Sequence, residues 1–127
     1  MQEFGSEGSA ADRAQAAAVL HSFLDARAER KWAVACRYLS STVLHAMVGS
    51  SATHSCPLTL GALTAGVPTA RLREAARADV GSLRRQGGRG FLLYRGAPSG
   101  TVYAISMSRD ADVWKVASLG AVPLNSG

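Results

Sequence analysis

The sequence predicts one α+β domain, with helices in about the first sixty per cent and a three- or four-stranded antiparallel sheet in the rest. Three observations predict it. Apolar residues recur at spacings of three and four until about residue 79, the period changes to two from Val80 onward, and the punctuation then becomes glycine-rich. Gln86-Gly87-Gly88-Arg89, Ala97-Pro98-Ser99-Gly100 and Asp110-Ala111 read as hairpin turns.

A chain of 127 residues is of single-domain size and buries enough surface for one core. Hydrophobic residues at 47% and charged residues at 18% exclude a disordered composition. No run approaches the ~20 apolar residues of a membrane span, so none is expected. Met1 to Ser6 lacks the basic and apolar parts of a signal peptide. Glu3-Phe4-Gly5-Ser6 reads as a cloning remnant and Gly5 to Ser9 as a flexible linker, so residues 1–8 are set apart from a domain spanning 9–127.

The first helix is expected over roughly 10–29. Ser9 stands three residues before Asp12 in a capping-box-like start, and Arg27 and Arg30 complement the dipole at the other end. Ala16, Val19, Leu20, Phe23 and Leu24 give the helix one apolar face. After a break at Arg30-Lys31, Trp32, Ala35, Cys36 and Leu39 share a face of a second helix. Ser40-Ser41-Thr42 caps a further turn or two through Val43, Leu44 and Met47, ending at Gly49-Ser50-Ser51. Pro57 suits the first turn of a helix over 58–65, and Gly66 with Pro68 ends it and starts another, which Leu72, Ala75, Ala76 and Asp79 continue.

A tight turn fixes which residues oppose each other across a hairpin. A turn centred on Pro98-Ser99 places Tyr94 opposite Tyr103 and Leu92 opposite Ile105. One centred on Asp110-Ala111 places Met107 opposite Trp114 and Ile105 opposite Val116. The face the helices should cover then carries Leu92, Tyr94, Tyr103, Ile105, Met107, Trp114 and Val116. The other face carries Phe91, Leu93, Arg95, Val102, Ala104, Ser106, Val113, Lys115, Ala117 and Leu119, too apolar to sit bare in water. A homodimer through this outer face is expected, with coverage by the Ala121 to Gly127 tail as the alternative.

The net charge of +5 lies entirely in 71–95, where Arg71, Arg73, Arg77, Arg84, Arg85, Arg89 and Arg95 face only Glu74 and Asp79. Such a stretch can bind nucleic acid or another anion. No aromatic residues interleave with these arginines in a stacking pattern and no nucleic-acid motif accompanies them, so a solvated face is the favoured reading. His21 and Asp25, at i and i+4, could form a general-base dyad, although that spacing is also common on solvated faces. His45 and His54 join no carboxylate or cysteine cluster of ligand spacing, so neither metal nor cofactor is expected. Tyr94 and Tyr103 could donate to a carbonyl oxygen or could simply be a packed cross-strand pair.

A helical half followed by the strands "GFLLYRG", "TVYAISMSR" and "VWKVASL" resembles the nuclear transport factor 2-like superfamily, which includes ketosteroid-isomerase-like and polyketide-cyclase-like enzymes and many non-enzymatic domains. The runs "ACRYLSS", "SCPLTLGAL" and "VWKVASL" look like the exported or lipoprotein-type members common in actinobacteria. The resemblance spans about Ala10 to Pro123 and implies a cone-shaped, cystatin-like shell, a curved sheet wrapped around the first helix with a pocket between them. Phe23, Leu24, Tyr94, Tyr103, Met107 and Trp114 would line that pocket.

Cys36 and Cys56, twenty apart, fit no zinc or redox motif and could be two buried thiols. Resemblance to exported members implies instead a disulfide between them and an extracytoplasmic location, with the cytoplasm as the alternative. The enzymes of the superfamily need a carboxylate base and an acidic donor in the pocket, yet no Asp or Glu falls on the inner sheet face, so Asp25 or Asp79 would have to serve. The favoured function is therefore a non-catalytic domain binding a small apolar ligand or a protein partner. The alternatives are an isomerase- or cyclase-like enzyme on a hydrophobic carbonyl compound, with Asp25 as base and Tyr94 or Tyr103 as donor, and an anion-binding module using Arg71 to Arg95.

Overall fold

The computed structural model describes residues 5–50, 55–77, 79–95, 102–119 and 122–123, with 48–50 and 122–123 as backbone only. Five helices precede most of the sheet: α1 (Ala10–Ala28), α2 (Trp32–Cys36), α3 (Ser41–Ser50), α4 (Cys56–Thr64) and α5 (Thr69–Ala75). The strands are β1 (Ser6–Glu7), β2 (Asp79–Gln86), β3 (Arg89–Arg95), β4 (Val102–Asp110), β5 (Val113–Val116) and β6 (Val122–Pro123). The chain is α+β, its helices packed on one antiparallel sheet in the order β1-β2-β3-β4-β5, with β6 also beside β4.

The helix boundaries follow local chemistry. The Ser9 hydroxyl accepts from the Asp12 amide and caps α1. Arg30, at φ 58°, turns the chain out of α1, and its guanidinium donates to the Val67 carbonyl and the Thr69 hydroxyl, tying this corner to the α4–α5 connection. The Ser40 hydroxyl accepts from the Val43 amide at the start of α3, and Pro57 sits in the first turn of α4. Two expected helices are shorter than their apolar pattern suggests. Leu39 leaves α2 to make a parallel bridge with Val116, because Tyr38 and Ser40 bond the free edge of β5. Asp79 belongs to β2, paired with Arg95, and does not extend α5.

Four strands form the body of the sheet, as the alternation predicts, and two two-residue strands add to it. Ser6 and Glu7, within the stretch set aside as linker, pair with Arg85 and Arg84, and the Gly8 amide bonds the Leu83 carbonyl. The turn over 96–101 lies outside the described residues, but the register it predicts is present: Tyr94 opposes Tyr103 and Leu92 opposes Ile105. The third hairpin differs. Met107 opposes Val116 and Arg109 opposes Trp114, because the turn is centred on Ala111 and Asp112, both at positive φ, the conformation of a twist-matched two-residue turn. That slip is of two residues, so every side chain keeps its expected face. In β2 a bulge at Gly81 lets Val80 pair with Tyr94 and Leu83 with Leu92 on the same face.

The inner face is buried as expected. Leu83, Leu92, Ile105, Met107, Trp114 and Val116 join Ala16, Leu20, Phe23 and Leu24 of α1 in one core. Each large apolar side chain so buried contributes roughly 1.5–3 kcal/mol. Gly90 is part of this closure: a Cβ there would lie 3.1 Å from the Arg84 carbonyl oxygen and 3.4 Å from the Trp114 ring. The outer face is mixed, with Ala104 buried, Phe91, Leu93 and Val102 half-buried and Val113 exposed. Leu119, placed on that face by the alternation, is half-buried against the core, because β5 ends at Val116 and the period of two ends with it. Most of the Ala121 to Gly127 tail lies outside the described residues, though Val122 and Pro123 pair with Ala104 and Tyr103.

One polar cluster positions α1 on the sheet. Arg85 sits on the inner face opposite Gly90. Its guanidinium bonds the Asp12 carboxylate and lies 5.7 Å from the Trp114 ring centre. Trp114 Nε1 donates to the same carboxylate at 3.3 Å. The bond from Arg85, above all, holds the Asp12 carboxyl below its usual value despite the opposing effect of burial. A lowered carboxylate pKa means stability that is present above 3.8 and is lost as pH falls through the folded-state value. Asp12→Asn should therefore lower urea stability by about 1 kcal/mol at pH 7, with the gap to the parent protein shrinking in acid. A gap that is the same at neutral and acid pH would show that the carboxylate charge contributes nothing.

Candidate functional site

Helix α1 presents Ala16, Leu20 and Phe23 to the core, and Arg27 continues the same line one turn beyond Phe23. The Arg27 guanidinium carbon lies 5.9 Å from the Phe23 ring centre. On the sheet, Tyr94 and Tyr103 are cross-strand partners whose rings stack at 5.5 Å with 23° between their planes. Both are half-buried, whereas Phe23, Met107 and Trp114 are each 1% exposed. The expected pocket residues therefore divide into two groups. Phe23, Leu24, Met107 and Trp114 are core, and Tyr94 and Tyr103 lie where the core meets the surface.

Burial pushes the Tyr94 phenol above its ordinary value, partly offset by the positive charge of Arg27 and reinforced by Tyr103. Burial also lowers the pKa of Arg27, with Tyr94 acting in the opposite direction. Arg27 still carries its charge at neutral pH, since guanidinium does not deprotonate in proteins. Its Nε is buried with no hydrogen-bond partner. The sequence carried a signal for this residue: Ala16, Leu20, Phe23 and Arg27 share the spacing of a helix seam, so a cation at the last position faces inward.

His21 is half-buried and Asp25 exposed. Asp25 borders a surface depression of about 350 Å³ with Ala28, Glu29, Arg73, Ala76 and Arg77, a set without either tyrosine. The dyad is thus not brought together with the candidate donors. A second depression, of about 200 Å³, reaches Tyr94 beside the β2 bulge, along with Asp79, Gly81, Leu93, Arg95 and Val102. A third, of about 300 Å³, is lined by Ser40, Thr42, Ser106, Ser108, Arg89 and Phe91 among others. Among the described residues no group of three or more metal-ligating side chains occurs, and His54 lies outside them.

The seven arginines of 71–95 do not form one stripe. Arg71, Arg73 and Arg77 are exposed on or just after α5, Arg84 and Arg85 point to opposite faces of β2, and Arg89 and Arg95 mark the ends of β3.

Cys36 and Cys56 form a disulfide, with Cα atoms 6.3 Å apart, that joins the end of α2 to the start of α4. A disulfide is compatible with an extracytoplasmic location. No described helix is long and apolar enough to cross a membrane. In denaturant without reductant the protein should show no free thiol, and replacing both cysteines by serine should cost about 3 kcal/mol of urea stability for a loop of this length. Two titratable thiols and unchanged stability would contradict the bond.

Protein-family models, curated proteins and solved structures were all compared with the chain, and none of the three comparisons gives a match.

Proposed function

We propose that this chain is a non-catalytic, extracytoplasmic domain of the nuclear transport factor 2-like type that binds a small, largely apolar molecule. The binding place is the Tyr94–Tyr103 end of the cleft between α1 and the sheet. One observation carries this reading: the inner face is sealed along most of its length, and its sealed part gives way to a stacked, half-buried tyrosine pair whose Tyr94 feels the charge of Arg27, itself against the Phe23 ring. Aromatic faces with polar tips at the margin of a core suit a ligand that is flat and apolar over most of its area.

The order of elements supports the fold assignment, with helices first and an antiparallel sheet whose inner face is covered by α1. The disulfide supports the location. The non-catalytic reading is supported by the position of Asp25, on an exposed groove beside α5 that neither tyrosine lines, and by that of Asp79, which shares a depression with Tyr94 but is exposed and opposes Arg95 on the outer face.

The neutral probe 2-naphthol tests the site. Titrated into the isotopically labelled protein, it should give saturable NMR shifts at the Tyr94 and Tyr103 rings and near Arg27, with the Trp114 indole unmoved. Shifts confined to the outer-face residues Phe91 and Val113, or none that saturate, would overturn the reading.

A further inference from the structure

Arg27 and Arg85 make a natural comparison. Both place a guanidinium at a margin of the inner face against an aromatic ring, Trp114 for Arg85 and Phe23 for Arg27. Arg85 has an anion, the carboxylate of Asp12. Arg27 has none among the described residues, and its Nε, like that of Arg109, is buried without a hydrogen-bond partner. Taking a charge out of water is costly unless the charge is paired, so an inward-facing arginine without a carboxylate is an incomplete arrangement.

The chain does not complete it from its own acids. Asp12 serves Arg85, Asp110 accepts from the Ser41 amide, Asp112 lies by Arg109 and Glu29 by Lys31. Asp25 borders the α5 groove, Glu7 pairs opposite Arg84, Glu74 is exposed on α5, and Asp79, exposed and next to the Val80–Tyr94 pair, opposes Arg95 on the outer face. Outside the described residues the sequence has one acidic side chain, Glu3. Tyr94 itself stays a neutral phenol near pH 7, since burial raises its pKa.

We propose that Arg27 is the anchor for the carboxylate of a small aromatic or alicyclic acid whose apolar body lies against the Tyr94–Tyr103 pair. The inference rests on the ligand-binding reading above and adds the chemical class of the ligand. A guanidinium meets a carboxylate through two parallel N–H donors, here the two terminal nitrogens of Arg27, since its Nε is buried away from solvent. The tyrosine hydroxyls are further donors at the same margin. A monoanion fits one arginine, since a phosphate dianion would leave an uncompensated charge among aromatic side chains.

Calorimetry on the full chain with 2-naphthoate, 2-naphthol and 2-naphthyl phosphate tests the proposal. The carboxylate should bind roughly tenfold or more tightly than the neutral naphthol. Arg27→Gln should remove that advantage, bringing the naphthoate and naphthol affinities within about threefold of each other, and Arg27→Lys should retain part of it. Should Arg27→Gln not fold, the comparison of the three probes on the parent protein, with Arg27→Lys, still decides. Equal affinity for naphthoate and naphthol, or tighter binding of the phosphate, overturns the carboxylate assignment and leaves the ligand site standing. Failure of all three to bind overturns the site and the assignment together.

Discussion

The structure depends on the covering of one apolar sheet face by one helix. Burial drives the covering but is non-directional, so it does not fix where along the sheet α1 comes to rest. The Asp12, Arg85 and Trp114 cluster does, because a carboxylate shared by a guanidinium and an indole has a narrow geometry. Lengths then set the rest. Asp12 to Phe23 spans about 17 Å of helix, and the four ladder steps from the Arg85–Gly90 pair to the Val80–Tyr94 pair, shortened by the bulge, span about 13 Å of strand. Anchored at one end, α1 therefore delivers Phe23 and Arg27 to the level of Val80, Tyr94 and Tyr103.

The two ends differ in completeness. At the anchored end the cation, the anion and the ring are all supplied by the chain, and Gly90 lets Trp114 lie close against β3. At the other end the cation and the rings are present, and among the described residues no carboxylate pairs with the cation. Asp12 and Arg85 are paired within the chain, whereas Arg27, Tyr94 and Tyr103 are the residues for which a molecule from outside is proposed. The disulfide acts elsewhere, fixing α2 to α4 and so holding the helical layer that backs α1.

Much of this was legible in the sequence. The 3.6-residue pattern and Ser9 located α1 to within a residue, and turn chemistry gave the pairing of Tyr94 with Tyr103. The third hairpin slipped by two because Ala111 shares the centre of the turn with Asp112 and not with Asp110, two aspartates of equal turn preference that flank it. Leu39 looked helical because apolar spacing alone does not separate the last turn of a helix from an edge bridge. The pocket residues were read as one set because alternation reports the face of a side chain and not its depth, and depth is what separates Trp114 from Tyr103. Arg27 was read as a complement to the helix dipole, its charge drawing attention away from its place on the buried seam. Arg85 was counted with its basic neighbours, since its partner lies 73 residues away.

The central claim is that the inner face is closed except at its tyrosine end. Paramagnetic relaxation by a soluble, neutral nitroxide measures this directly, because it broadens signals according to their approach to solvent. The account predicts strong broadening of the Tyr94 and Tyr103 rings, with the Phe23 ring, the Trp114 indole and the Met107 methyl protected. Equal protection of all five, or broadening of Trp114 and Met107 to the level of the tyrosines, would contradict it.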